Sequence, residues 1–160
     1  MNKTAVYQQM LEKLAIDLDV LQRAAQTAYE AATHEENIAE NKYDTLGLEA
    51  SYLATGQARR VEEIRQALKN CQAMTLTPFS PAQGIQVGAL VRLEADNGNK
   101  QWLFLAPQAA GLKLVHDGRP VTVITPRAPL GAALLGKQVD DEVQITVGGA
   151  VQGFVVCEVD

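Results

Sequence analysis

Apolar side chains recur near the start of the chain at Tyr7, Leu11, Leu14, Leu18, Leu21, Ala25, Ala28 and Ala32. The steps alternate between four and three, which draws one stripe along a helix and matches the seam of a coiled coil. The stripe shrinks from leucine to alanine toward its far end, so a partner helix can approach more closely there. A second helix is predicted over residues 43–72. Its apolar positions fall in two runs: Tyr43, Leu46, Ala50 and Leu53, then Val61, Ile64, Leu68 and Cys71. The runs are offset by one residue around Gly56, which predicts a local irregularity. Residues 5–73 contain no proline and two glycines, Gly47 and Gly56, each of which weakens the second helix. Residues 33–42 are polar and lack periodicity, so the chain is expected to reverse there. Two antiparallel helices of ~30 residues would form a finger roughly 45 Å long at 1.5 Å per residue.

The pattern changes at residues 75–84 (TLTPFSPAQG), which hold Pro78 and Pro81, carry no charge and read as a linker. Beyond them a period of two takes over. Residues 85–95 read as a strand, 96–99 (DNGN) as a turn and 100–106 as the returning strand. Residues 112–116 and 119–125 form a second such unit around Asp117 and Gly118. Residues 143–147 and 150–159 form a third around Gly148 and Gly149, a pair suited to a tight two-residue turn. Proline at 129 and glycine at 136 frame one or two turns of helix. The expected class is α+β. A two-helix antiparallel coiled coil occupies 1–74, a linker 75–84, and a mostly antiparallel β domain 85–160.

Composition adds what the chain does not do through its own surface. Of its 160 residues, 47% are hydrophobic and 21% charged, as in ordinary folded proteins. The net charge is −5 and acids outnumber bases in both halves. Binding to nucleic-acid phosphates needs clustered Lys and Arg, so neither half reads as a nucleic-acid arm. Cys71 and Cys157 lie far apart and read as free, packed thiols, which suits a reducing cytoplasm. No signal peptide or membrane span is read from the apolar pattern.

Single residues with chemical potential have plain readings. His34 stands beside Glu35, Glu36 and Glu40, but the spacing matches no metal motif, and it reads as a surface histidine. His116 reads as a strand end before a turn, and Arg59 with Arg60 as a solvated helix face. Trp102, Phe104 and Phe154 read as sheet core, with docking to a partner as their alternative role. There is no nucleophile triad signature and no phosphate loop.

Three strings carry a resemblance. Ala39-Glu40-Asn41-Lys42-Tyr43 is similar to a Ser-Glu-Asn-x-x-Tyr segment, and residues 128–137 (APLGAALLGK) to Ser-Pro-Leu-x-x-Ala-Leu-Leu-Gly-Lys. Residues 136–143 (GKQVDDEV), followed by a Gly-Gly turn, complete the set. On these, and on the order of parts, the chain resembles the GreA/GreB family of bacterial transcript elongation factors over essentially its whole length. The resemblance implies a β domain of the FKBP-like type that docks at the rim of the secondary channel of RNA polymerase. Pro129, Leu130, Gly131, Leu134, Leu135 and Gly136 are the implied docking residues. The finger would reach the active centre with Glu36, Asn37, Glu40, Asn41 and Asp44 at its tip. Glu40 and Glu36 would there meet a magnesium ion shared with the polymerase. No cofactor of the protein's own is implied, nor any enzymatic activity of its own. RNA is met only inside the complex, and the chain is expected to be a cytoplasmic monomer that binds no membrane.

The tip departs from the family pattern Asp-x-x-Glu-Asn. With Glu40 and Asn41 aligned, Asn37 stands where the aspartate should be, and an amide offers a neutral oxygen instead of a charge. Glu36, Glu40 and Asp44 are spaced so that a continuous helix would line them on one face. Tyr43 is one residue closer to Asn41 than the pattern has it. This favours a regulator or inhibitor of polymerase over a cleavage factor. A solvated acidic loop, a prolyl isomerase and a general coiled-coil interaction module are the competing readings.

Overall fold

The computed structural model describes residues 1–33 and 45–160. Two long helices come first, α1 (Lys3–Thr33) and α2 (Thr45–Ala73). In α1 the predicted stripe is the covered side: Tyr7 and Leu14 are buried, and Leu11, Leu18, Leu21, Ala25 and Ala28 are half-buried. In α2, Val61 and Cys71 are buried, with Ile64 and Leu68 half-buried. Tyr43 lies outside the described residues, as do the side chains of Ala32, Leu46, Gly47, Ala50 and Leu53. Helix α2 remains helical through Gly56, so the phase change expected there does not interrupt it.

Six strands follow: β1 (Leu90–Ala95), β2 (Lys100–Leu105), β3 (Lys113–His116), β4 (Arg119–Ile124), β5 (Glu142–Val147) and β6 (Ala150–Val159). A short helix, α3 (Pro129–Leu134), lies between β4 and β5. The strands form one sheet in the order β3-β4-β2-β1-β6-β5. All three predicted hairpins are present, and every pairing is antiparallel except β2 with β4. The architecture is therefore α+β, as the patterning required.

The first strand is shorter than its alternation suggested. Residues 85–89 precede the ladder: Ala89 N–H bonds Gln86 O at 3.1 Å, Gly88 N–H bonds Leu105 O at 2.6 Å, and Gly88 sits at φ +99°. A left-handed residue cannot continue a regular strand, so pairing begins at Leu90.

By residue contacts the chain divides into two compact units, Met1–Leu11 with Asn70–Asp160, and Glu12–Lys69. The first turns of α1 belong with the sheet because their side chains are bonded to it. Tyr7 Oη donates to Cys71 O at 2.8 Å, and its ring stacks obliquely on Phe104 with centroids 6.3 Å apart. Lys3 Nζ donates to Thr77 O at 2.6 Å, and Gln9 Nε2 donates to Val115 O at 2.6 Å. The proline-bearing segment at 75–84 also packs down: Phe79 lies against the core, and the Gln138 amide donates to Pro81 O. The core on one sheet face joins Ile85, Val91, Leu93, Leu103, Leu105, Val143, Phe154 and Val156 to Leu134 of α3. Leu90, Phe104, Val121 and Val123 are buried on the other face. Among the described residues no helix is long and apolar enough to cross a membrane.

Candidate functional site

Residues 128–137 fold as one small structural unit. Pro129 occupies the first turn of α3, where its missing N–H costs nothing and its fixed φ suits a helix start. Gly131 lies so close to the end of β4 that a Cβ there would stand 2.0 Å from Thr125 O. Leu134 is fully buried in the core. Gly136, at φ +77°, turns the chain back; its N–H bonds Ile85 O at 2.8 Å, and Ile85 N–H bonds Lys137 O at 2.9 Å. That clasp is tight, since a Cβ on Gly84 would lie 2.3 Å from Gly136 O.

The implied docking residues thus divide into two groups. Gly131 and Leu134 face inward and are accounted for by packing alone. Pro129, Leu135 and Gly136 are exposed, and Leu130 is half-buried against the core. Leu135, 39% exposed, and the exposed Pro129 are apolar surface that folding did not need to cover. Val139, 40% exposed, lies four residues beyond Leu135 in the chain.

The implied tip residues Glu36, Asn37, Glu40, Asn41 and Asp44 lie outside the described residues, as does His34. Among the described residues no group of three potential metal ligands comes together. His116 ends β3 with its Nε2 3.4 Å from Asp117 Oδ2, at the turn expected. Arg60 pairs with Glu63 at 3.1 Å one turn along α2, and Arg59 beside it is exposed. Trp102, Phe104 and Phe154 are buried in the sheet, which is their packing role. Cys71 is buried and free; burial pushes its thiol up, partly offset by a backbone hydrogen bond at Gln108, so it is a packing residue and a poor nucleophile.

Sequence reading passed over one surface. Arg92 of β1 holds its guanidinium 5.8 Å from the Trp102 ring centroid, and its Nη2 pairs with Glu158 at 2.9 Å. Arg119 of β4 and Lys100 of β2 stand beside them around a concavity of about 340 Å³. The three cations are spread over 28 positions with no motif spacing between them. The signal available was their parity: each falls on the Trp102 side of a predicted strand.

No family model and no curated protein matches the chain. Solved structures are similar to it along most of its length. The transcription factor Gfh1 aligns over 93% of this chain and 92% of its own, at 24% identity and a TM-score of 0.39. Gfh1 of Thermus thermophilus, a GreA factor homologue, aligns over 94% of each chain at 20% identity and a TM-score of 0.37. A GreA/GreB elongation factor from Nitrosomonas europaea aligns over 70% of this chain and 91% of its own, at 19% identity and a TM-score of 0.37. Two long helices followed by a mostly antiparallel six-stranded sheet is the order of parts that the sequence resemblance implied.

Proposed function

We propose that this protein binds bacterial RNA polymerase and modulates its active centre during elongation. In this reading the sheet unit docks at the rim of the secondary channel through the outer edge of α3. The helices form an antiparallel coiled-coil finger that enters the channel with residues 36–44 at its tip. The observation that carries the reading is the fate of residues 128–137. The string most similar to the family forms a single turn-and-helix, and after Gly131 and Leu134 are spent on packing it still leaves Pro129, Leu135 and Gly136 on the surface. The neutral Asn37 weighs toward regulation or inhibition, because a shared magnesium ion prefers carboxylate oxygens. The protein itself would catalyse nothing, and it would work in the cytoplasm.

The test is a stalled, backtracked polymerase complex in magnesium buffer, with the RNA 3′ end followed on a gel. The expected result is intact transcripts and protection from a known cleavage factor. Shortened transcripts that disappear with Glu40→Ala would instead establish cleavage stimulation and show that Asn37 is compensated. Neither effect at concentrations well above about 1 μM, where an 8 kcal/mol interaction would saturate, would exclude polymerase as the partner. A second reading, a general interaction module, is favoured by Ile16, Val20 and Tyr29, which are 59%, 59% and 58% exposed on α1. It gains only if polymerase binding is absent.

A further inference from the structure

The surface around Trp102 is built in a way that packing does not explain. Arg92 is the register partner of Trp102, and Trp102 of Val121. Lys100 and Arg119 each stand two residues before those positions, and a two-residue step keeps side chains on one face of a sheet. Three neighbouring strands therefore bring Arg92, Lys100 and Arg119 to one place. They are three of the six basic residues between 76 and 160, in a chain of net charge −5. Glu158 answers Arg92, but Lys100 and Arg119 form no ion pair among the described residues. Lys100 faces Glu94 across the β1–β2 pairing, and it lines the same concavity as Arg119, two residues before the β2–β4 ladder begins. Arg92 is held more deeply, its side chain 28% exposed, and its Nε is buried without a hydrogen-bond partner. A buried donor left unpaired costs free energy unless something accepts from it.

These observations describe a basic concavity of about 340 Å³ with an indole in its wall: a guanidinium anchored by Glu158, a lysine faced by Glu94, and an arginine without an ion pair among the described residues. That volume is near the small end of ligand pockets, so it suits a compact ligand better than an extended acidic segment. Glu158 and Glu94 set two carboxylates against the three cations, so one positive charge is left in excess for an anion to meet. A phosphate group carries about −1.5 to −2 at neutral pH and accepts the geometry of arginine forks. We propose that this face binds the phosphate of a small phosphorylated molecule, independently of any contact with polymerase. The site shares no residue with the string 128–137 or with residues 36–44, and the proposal does not depend on either.

Trp102 is the only tryptophan in the chain, so its fluorescence reports on this surface alone. The full-length protein would be titrated at low salt with inorganic phosphate, pyrophosphate and adenosine diphosphate, in parallel with calorimetry. The expected result is a Trp102 response with pyrophosphate saturating below about 1 mM. Lys100→Gln combined with Arg119→Gln should weaken it by about tenfold or more, because both charge-assisted bonds are lost. Lys137→Gln, a single loss of positive charge in the turn after α3, should leave it unchanged. Tighter binding of adenosine diphosphate than of pyrophosphate would assign the organic part to the Trp102 wall, and equal binding would assign the phosphates alone; either supports the site. Both variant side chains are exposed, so the thermal midpoint should hold, and Lys100→Gln alone serves if the double variant is destabilised. The proposal is overturned by no Trp102 response up to about 10 mM, where even a 3 kcal/mol interaction would register. It is equally overturned by a response the variants do not change, or by a decaglutamate peptide that binds more tightly than pyrophosphate.

Discussion

Gly131 and Leu135 sit in the same short string and do opposite work. A methyl group at 131 would stand 2.0 Å from Thr125 O, a carbonyl of the backbone that cannot swing aside as a side chain could. Gly131→Ala is therefore expected to destabilise the sheet unit by about 1–3 kcal/mol, the usual cost of overpacking, read as a lower urea midpoint. Leu135 is 39% exposed and touches the question of partners instead. Leu135→Ala should change stability by no more than about 0.5 kcal/mol, as surface substitutions do, while weakening polymerase binding in a pull-down. If Leu135→Ala leaves binding intact, the docking edge has been placed wrongly. If Gly131→Ala leaves the urea midpoint unchanged, the close approach to Thr125 is not what requires glycine.

At the scale of elements, α2 carries an avoidable weakness. Gly56 lies in the helix interior, exposed, with nothing within 4 Å of where a Cβ would be. Glycine there leaves the unfolded chain its freedom and contributes no side chain, so Gly56→Ala should raise stability by about 0.5–1 kcal/mol. Differential scanning calorimetry would show this as a higher midpoint; a lower one would mean that Gly56 serves a bend or a contact. The strands were legible because alternation with period two survives wherever one face is buried. The β1 start was not, because residues 85–89 also contain apolar side chains, and only the left-handed Gly88 and its bond to Leu105 O take them out of the ladder. The parallel pairing of β2 with β4 was equally invisible, since it joins two predicted hairpins and no local signal reports which hairpins meet.

Within the sheet-bearing unit, Tyr7 joins the first turns of α1 and the end of α2 to the sheet, through Cys71 O and the Phe104 ring. Burial, and then the neighbouring Cys71, hold its phenol above the ordinary value of 10.0; burial likewise holds the Cys71 thiol above 9.0. Both groups keep their protons longer in the folded state than in the unfolded one. The unfolded chain therefore binds fewer protons above these values, and stability falls as pH rises. Urea midpoints should be level up to about pH 9, the ordinary thiol value, and then decline toward pH 11 as the buried groups are forced to ionise. Tyr7→Phe should lower the midpoint at neutral pH, through the lost bond, and flatten the decline above pH 10. An equal slope in both proteins would mean that the alkaline loss arises elsewhere.

The sequence by itself determined the helices, the hairpins, the core aromatics and the string that carries the family resemblance, because each depends on short-range periodicity or on adjacent residues. Among the candidate residues it also separated none of the packing roles from the docking ones. Only the tertiary structure decided that Gly131 and Leu134 face inward while Pro129 and Leu135 face out. It also decided that residues 1–11 belong with the sheet, and that Arg92, Lys100 and Arg119 share one face. The physical reason is the same each time: burial and charge proximity are set by which strands and helices become neighbours. That adjacency is made by contacts between residues far apart in the chain, where no local pattern reaches.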